Sequence, residues 1–420
     1  MRFSTLADWL QWQEQLHFAE IELGLARVGQ VFRQLQPGPP TFNVITVAGT
    51  NGKGSSVAML ESILRVAGYR TGAYTSPHLL RYNERVRLQG EPVSDTLLCE
   101  AFARIDEARG DISLTYFEFG TLAALDIFYR QPLDVVILEV GMGGRLDAVN
   151  IIDADVALLT AIDVDHEKWL GSDRETIGFE KAGIMRPHQD VVCSEPNVPQ
   201  SVLRHARDIG ARLHCLGTAF SITAEANGWR YHEPGGITRS GLPYPALRGT
   251  HQLNNAAGVL KVLHCLEAAL PVSMQALREG LLSVRLPGRF QVIPGATTTI
   301  LDVAHNPQSA AVLAEMLKTQ QVTGKTLAVV GMLADKAVAQ TLAHLMPQVD
   351  SWFLASLRHI PRGADSTDLR QALSEPHGDI SCYADVRQAY HAARQAAAPG
   401  DRIVVFGSFY TVAEAMLQTV

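Results

Sequence analysis

The sequence predicts an α/β protein with a doubly wound, mostly parallel sheet, followed by a second and smaller α/β domain. Three observations predict it. An apolar run at 44–48 breaks into Gly49-Thr50-Asn51-Gly52-Lys53-Gly54-Ser55, and a helical pattern (Val57, Leu60, Ile63, Leu64) follows, the layout of a phosphate cradle. Continuous apolar strands, 134–140 (DVVILEV) the clearest, alternate with helical segments at the spacing of parallel βαβ units. Finally, Pro287-Gly288 separates this series from a second strand–helix alternation. The boundary falls between 1–285 and 286–420, and the second part, at roughly 130 residues, is the size of an independent domain.

Composition narrows the function classes. The chain has 420 residues, 47% hydrophobic and 19% charged, which suits a folded α/β protein of two or three domains. A net charge of −7 argues against a general nucleic-acid or membrane binder. Five scattered cysteines without a CxxC pair fit reduced thiols and give no disulfide or zinc framework. No apolar run approaches the ~18 residues of a membrane span. The N-terminus carries Trp9 and Trp12 among acids, unlike a signal peptide, so the expected location is the cytoplasm.

Taken in order, 4–35 reads as amphipathic helix (Leu6, Trp9, Leu10, Leu16) leading into Ile21-Glu22-Leu23-Gly24-Leu25, with Pro37, Pro39 and Pro40 ending it. The strand at 44–48, the cradle and its helix follow. A second strand at 71–75 ends in Ser76-Pro77-His78, and a charged hairpin at 82–93 turns at Gly90. Helices are expected at 95–109 and 117–129, strands at 134–140 and 155–162, and a helix at 173–182 capped by Asp173. Short β-prone pieces with Gly and Pro at 217–250 read as a small antiparallel insertion, and 255–284 as helical. The second series gives strands 298–303, 326–331, 350–355 and 402–406, and helices 308–319, 335–346, 366–374, 385–397 and 409–418.

The chemistry collects where a parallel sheet places it, at the C-terminal ends of strands. Glycines let backbone N–H groups curl around an anion, Lys53 supplies a full charge, and Ser55 can reach a magnesium ion. The spacing departs from GxxxxGK[ST], since only Thr50 and Asn51 separate Gly49 from Gly52. Glu139 ends the 134–140 strand where a magnesium-binding acid belongs, or where an acid caps a neighbouring helix. Ser76 is also ordinary turn chemistry. His166, in Asp-Val-Asp-His, reads as a metal ligand, a general base or a loop imidazole. Lys181, alone on a helix, reads as solvated surface. Asp302 before His305-Asn306-Pro307 suits a ribose contact, and Arg289 a phosphate clamp; an interdomain salt bridge between those two is the alternative.

Together, GTNGKGS, Ser76-Pro77-His78, LEVGMGGRLDAVN, the DHxxxLG at 165–171, LPGRF at 286–290, DVAHNP and Gly407-Ser408-Phe409-Tyr410 resemble the folylpolyglutamate synthases, most closely the bacterial bifunctional dihydrofolate synthase/folylpolyglutamate synthases. The resemblance runs over nearly the whole chain. It implies a P-loop ATPase domain and a smaller Rossmann-like C-terminal domain that closes over ATP and glutamate. Gly49, Thr50, Asn51, Gly52, Lys53, Gly54 and Ser55 would bind ATP phosphates, with Asn255 (rather than Asn254), Arg289 and Asp302 as further nucleotide contacts. Ser76, Glu139 and His166 would hold Mg²⁺, and a monovalent cation is a further candidate ion. Lys181 matches a lysine carbamylated in the family. Glu22, Leu23, Gly24 and Leu25, then Thr115, Tyr116, Phe117 and Glu118, then Leu146, Asp147 and Ala148 match the dihydropteroate pocket.

The implied activity is ATP-dependent ligation of L-glutamate to dihydropteroate and to the γ-carboxylate of reduced folates, through an acyl phosphate, with release of ADP and phosphate. Lys53, Lys181 and His305 are the expected catalytic residues, His305 as a contact of glutamate or phosphate. The expected partners are small molecules, with no nucleic acid and no membrane, and the expected state is a monomer. Two ligase alternatives stay open, folylpolyglutamate synthesis alone and a UDP-peptide amino-acid ligase of the Mur type; a nucleotide-regulated binding module with slow hydrolysis is a third, of another class, and leaves Arg289, Asp302, Glu139 and His166 without a role. Only 48 residues precede Gly49, too few for the uridine-binding domain the Mur-type ligase carries.

Overall fold

The computed structural model describes residues 2–35, 38–320, 322–373 and 378–419. The chain forms two compact units, Met1–Ala246 with Gln252–Arg285, and Leu247–His251 with Leu286–Val420.

The first unit opens with α1 (Leu6–Leu16) and α2 (Ala26–Leu35). The amphipathic segment expected over 4–35 is therefore two helices parted at 17–25, where the Gly24 N–H donates to Leu146 O (3.1 Å) instead of a helical carbonyl. Pro37, expected to end that segment, lies outside the described residues. Next come β1 (Asn43–Ala48), α3 (Lys53–Val66), β2 (Thr71–Tyr74), and the hairpin β3 (Val86–Leu88) and β4 (Glu91–Pro92). Its turn is at Gly90, whose φ of +80° favours glycine. The rest of the series is α4 (Asp95–Arg109), α5 (Tyr116–Tyr129), β5 (Val135–Glu139), β6 (Val156–Leu159), α6 (Glu167–Leu170), α7 (Arg174–Ala182), β7 (Asp190–Cys193), α8 (Gln200–Ile209) and β8 (Arg212–Cys215).

These strands make one sheet in the order β4-β3-β2-β5-β1-β6-β7-β8. Each neighbouring pair from β2 to β8 is parallel, and only the β3 and β4 pairings are antiparallel. Central strands β1 and β5 are buried almost throughout, as strands covered on both faces must be. The sequence pattern does not reveal β7 and β8. β7 is only four residues long, and edge strand β8 is half-exposed and lacks an apolar run.

The expected insertion is a three-stranded antiparallel sheet of β9 (Ser221–Glu225), β10 (Gly228–His232) and β11 (Thr238–Leu242), with β10 central. The helical stretch at 255–284 is two helices, α9 (His251–Cys265) and α10 (Met274–Ser283), parted at Pro271; Ser273 caps the second.

The second unit runs β12 (Gln291–Ile293), β13 (Thr298–Leu301), α11 (Pro307–Thr319), β14 (Thr326–Val330), α12 (Val338–Leu345), β15 (Ser351–Ala355), α13 (Ser366–Ala372), β16 (Asp379–Tyr383), α14 (Val386–Ala396), β17 (Arg402–Phe406) and α15 (Phe409–Met416). Its sheet order is β12-β13-β17-β14-β15-β16, parallel except at β12. It buries its own core, including Ile300, Val330, Trp352 and Phe406. The structure adds β12 and β16 to the expected strands. Both are edges, β12 three residues long and β16 largely exposed, so neither shows as an apolar run. Ser374, the expected end of the 366–374 helix, lies outside the described residues. Arg289 and Asp302 both belong to this unit, at the same end of the β12–β13 ladder. A salt bridge between them would thus be internal to one unit, which corrects its reading as interdomain.

Candidate active site

The cradle is shaped by two glycines. Gly49 (φ +153°) has no room for a Cβ, which would strike Thr160 Oγ1, and a Cβ on Gly52 (φ +89°) would lie 2.6 Å from Asn255 Oδ1. The loop is pinned to the segment after β6. Thr50 N–H donates to Ala161 O (2.7 Å), and Thr50 Oγ1 donates to Asp163 O (2.8 Å) while accepting from Asp163 N–H (3.0 Å). Asn51 bridges Ala161. Lys53, the first residue of α3, curls back so that Nζ donates to Gly49 O (3.0 Å) and Thr50 O (3.2 Å). A cation folded over a glycine turn at a helix N-terminus is what a phosphate chain needs. Gly54 follows inside the first turn of α3. Buried Ser55 accepts from Gln252 Nε2 (3.2 Å), and Gln252 Oε1 accepts from Asn255 Nδ2 (3.0 Å). Asn255 is thus the buried asparagine beside the loop, and Asn254 is not.

Strands β2, β5, β1 and β6 are neighbours, so the residues at and beyond their C-terminal ends lie side by side. Ser76 comes just after β2, and its backbone N–H donates to Glu139 Oε2 (3.3 Å) at the end of β5. His166 takes a left-handed backbone (φ +53°) at the start of α6, with its N–H on Asp165 Oδ1 (2.7 Å). A hydroxyl, a carboxylate and an imidazole suit a hard divalent cation that takes its other ligands from water and phosphate oxygens.

Lys181 corrects its reading as solvated surface. It projects from α7 into the interior and is 3% exposed. Burial, then the charge of Lys53, pull its pKa down to about 7 against the pull of Asp165 and Asp147. Two lysines and two acids therefore share one region. Asp147 is buried as well, and desolvation raises its pKa to about 6 although it accepts N–H bonds from Met142 and Val149 (both 2.9 Å) and feels Lys53.

The three stretches assigned to an acid substrate converge. Gly24 N–H meets Leu146 O, joining 22–25 to 146–148. Arg27 pairs with Glu22 and also with Glu118 (3.1 Å), joining 22–25 to 115–118. Glu22 also meets His17 Nε2 (2.8 Å). Leu23 and Leu25 are half-buried beside them. Thr115 and Glu118 form a capping box at the start of α5, so Glu118 also has a structural task. Phe117 leans on Gly141, where a Cβ would lie 2.6 Å from its ring, and stacks obliquely near Tyr74 at 6.0 Å. Tyr116 sits edge-on to Tyr82, and Ala148 is buried after Asp147. Sequence reasoning missed Arg27. It is an ordinary charged residue outside any glycine or proline motif, and only the fold shows its neighbours.

In the second unit Asp302 accepts from Phe290 N–H and Ala304 N–H (both 2.8 Å). Its burial raises the pKa, while Arg289 and His305 lower it. The Arg289 guanidinium lies 5.0 Å over the Phe409 ring, and the His305 ring centre is 6.3 Å from the same ring. His305 Nδ1 lies 2.8 Å from Val303 O. Arg289, Asp302 and His305 thus form one cluster around Phe409.

Comparison with known proteins places the chain in a family. Residues 288–409 match the Mur ligase, glutamate ligase domain family. The dihydrofolate synthase/folylpolyglutamate synthase of Escherichia coli (strain K12) is 46% identical over 413 residues, covering 98% of this chain and 95% of that protein. A solved structure of E. coli FolC in complex with DHPP and ADP superposes with a TM-score of 0.93 at 46% identity, covering 99% of this chain and 97% of that one. A bifunctional folylpolyglutamate synthase/dihydrofolate synthase with Mn, AMPPNP and L-glutamate bound gives 0.90 at 48% identity, covering 99% and 98%. A lysine folded over a glycine turn, three stretches joined through Leu146 and Arg27, and full-length likeness at this identity lead to one assignment: the chain belongs to the dihydrofolate synthase/folylpolyglutamate synthase family of ATP-dependent ligases.

Proposed function

We propose that the protein joins L-glutamate to 7,8-dihydropteroate, forming dihydrofolate, and to the γ-carboxylate of reduced folates, using ATP and releasing ADP and phosphate. One observation carries the reading. Asp147 closes the acid-substrate stretches and is also close enough to Lys53 for their charges to interact, so pocket and phosphate cradle adjoin. A carboxylate is a poor electrophile, and transfer of the ATP γ-phosphoryl group to it makes phosphate the leaving group. Lys53 and the N–H groups of the cradle neutralise charge that develops during transfer. Ser76, Glu139 and His166 would hold Mg²⁺, which supplies further neutralisation of phosphate oxygens. The glutamate amine then attacks the acyl carbon, and phosphate departs with the bridging oxygen.

On this reading Gly49–Ser55 and Asn255 bind ATP, Arg289 and Asp302 are further nucleotide contacts, and His305 meets glutamate or phosphate. Lys181, poised near neutrality by burial, takes up CO₂ as a carbamate and becomes an anion. No helix among the described residues is long and apolar enough to cross a membrane. The enzyme works as a monomer in the cytoplasm on small molecules. Assay of the pure protein with dihydropteroate and, separately, tetrahydrofolate tests the reading. Glutamate-dependent ADP release is expected with both acids; ATP turnover indifferent to acid and glutamate would overturn it.

A further inference from the structure

Arg85 is a half-buried cation with no acidic partner among the described residues. Its neighbours along the chain are treated differently. Arg81 pairs with Asp95 (3.1 Å) and Arg87 with Glu61 (2.8 Å). The adjacent carboxylate, Glu84, is committed elsewhere: its oxygens accept the backbone N–H groups of Leu79 (2.7 Å), Leu80 (2.8 Å) and Arg81 (2.7 Å). The Arg85 guanidinium is nonetheless held in place. It stacks over the rings of Tyr82 (5.3 Å) and Tyr116 (5.6 Å), and Nε–H donates to His78 Nδ1 (2.9 Å). A half-buried cation held by rings, one imidazole and the Tyr74 side chain, with no carboxylate partner among the described residues, is a built receptor for a carboxylate.

Its place says which carboxylate. Tyr116 belongs to the 115–118 stretch of the proposed acid-substrate pocket, and Arg85 O accepts from Thr75 N–H (2.8 Å), one residue before Ser76. Arg85 therefore stands between the pocket for the ring system and the residues assigned to the metal. The carboxylate that attacks phosphorus needs its electron density, which a tight guanidinium pair withdraws. Dihydropteroate has only that one carboxylate. A folate ends in glutamate and carries a second, the α-carboxylate, which does not react and arrives as a charge needing a partner.

We propose that Arg85 binds the non-reacting α-carboxylate of the terminal glutamate of folate substrates, and thereby sets the preference between folates and dihydropteroate. This rests on the ligase reading above. The test measures kcat/KM for tetrahydrofolate and dihydropteroate with wild type, Arg85→Gln and Arg85→Lys, each checked by thermal melting. It also uses tetrahydrofolate whose α-carboxylate is an amide. A lost charge-assisted bond should lower the tetrahydrofolate-to-dihydropteroate ratio at least about tenfold in Arg85→Gln, mainly through KM for the folate. Arg85→Lys should fall between. Wild type should prefer the acid over the amide by a similar factor, and Arg85→Gln should not. If Arg85→Gln fails to fold, acid-over-amide preference in Arg85→Lys decides: a weakened preference supports the proposal. An unchanged ratio, or a preference for the acid as strong in the variants as in wild type, overturns it alone. Wild type that turns over neither acid overturns the ligase reading and this assignment together.

Discussion

Replacing Lys181 by alanine probes the one lysine of the site that residue pattern alone places on the surface and the fold buries. Carbamate formation needs the neutral amine: R–NH₂ and CO₂ give R–NH–COO⁻ and a proton. An exposed lysine is neutral at pH 7.5 in only about one molecule per thousand. With its pKa drawn to about 7, Lys181 is neutral in about three-quarters of molecules, a gain of several hundredfold in reactive amine. The same shift disfavours the ammonium form by ~5 kcal/mol, so a second cation beside Lys53 is avoided. Lys181→Ala should fold but lose about 10- to 100-fold or more in kcat, on the scale seen when a buried charged group next to a phosphate and metal site is removed. Added acetate or formate should restore part of the activity. Wild-type enzyme equilibrated with ¹³C-bicarbonate should show a carbamate resonance that the variant lacks. Full activity of Lys181→Ala, or wild-type activity indifferent to CO₂ removal with no resonance, would refute the reasoning.

Lys53→Ala should lower kcat by about 10²–10³ or more with little change in melting temperature, since Nζ bonds loop carbonyls rather than the core; a modest loss in a steady-state assay would remove Lys53 from phosphoryl transfer. Gly52→Ala places a side chain at φ +89° and against Asn255, so it should destabilise by at least ~1–2 kcal/mol in denaturant titration and raise KM for ATP. Gly141→Ala pushes on the Phe117 ring; KM for dihydropteroate should rise several-fold while thermal stability changes little, and an unchanged KM would remove Phe117 from the pocket wall. For Asp147 the folded pKa, about 6, lies above the unfolded 3.8, so the folded state binds the proton more tightly. Its contribution is fully present below about 4 and is lost as pH rises through about 6. The stability deficit of Asp147→Asn, read by urea unfolding, should therefore shrink by up to ~3 kcal/mol between those limits. A deficit that grows with pH would show the sign to be wrong.

Much of this was legible because the chemistry here is written in strand ends and turns. Val135–Glu139 declares itself by an unbroken apolar run, and Gly49–Ser55 by a composition that suits little else. Their adjacency follows from parallel topology alone. Lys181 was not legible from pattern, because a single lysine in Phe-Glu-Lys-Ala-Gly looks the same whether its helix face meets solvent or core. Only the packing of α7 puts it beside Lys53. The family resemblance, not periodicity, singled it out. Arg27 escaped for a related reason. A cation's role depends on which acids lie near it in space, and Glu118 is 91 residues from Arg27. The edge strands β8, β12 and β16 were hidden because half-exposed strands carry too few apolar positions to stand out.

The central claim is that the acid substrate is activated by phosphoryl transfer in the cradle of Lys53. Dihydropteroate labelled with ¹⁸O in its carboxylate tests this most directly, with the released phosphate examined by mass spectrometry or ³¹P NMR after turnover with ATP and L-glutamate. One labelled oxygen should appear in each phosphate formed, in step with dihydrofolate. Unlabelled phosphate alongside dihydrofolate formation would contradict the claim.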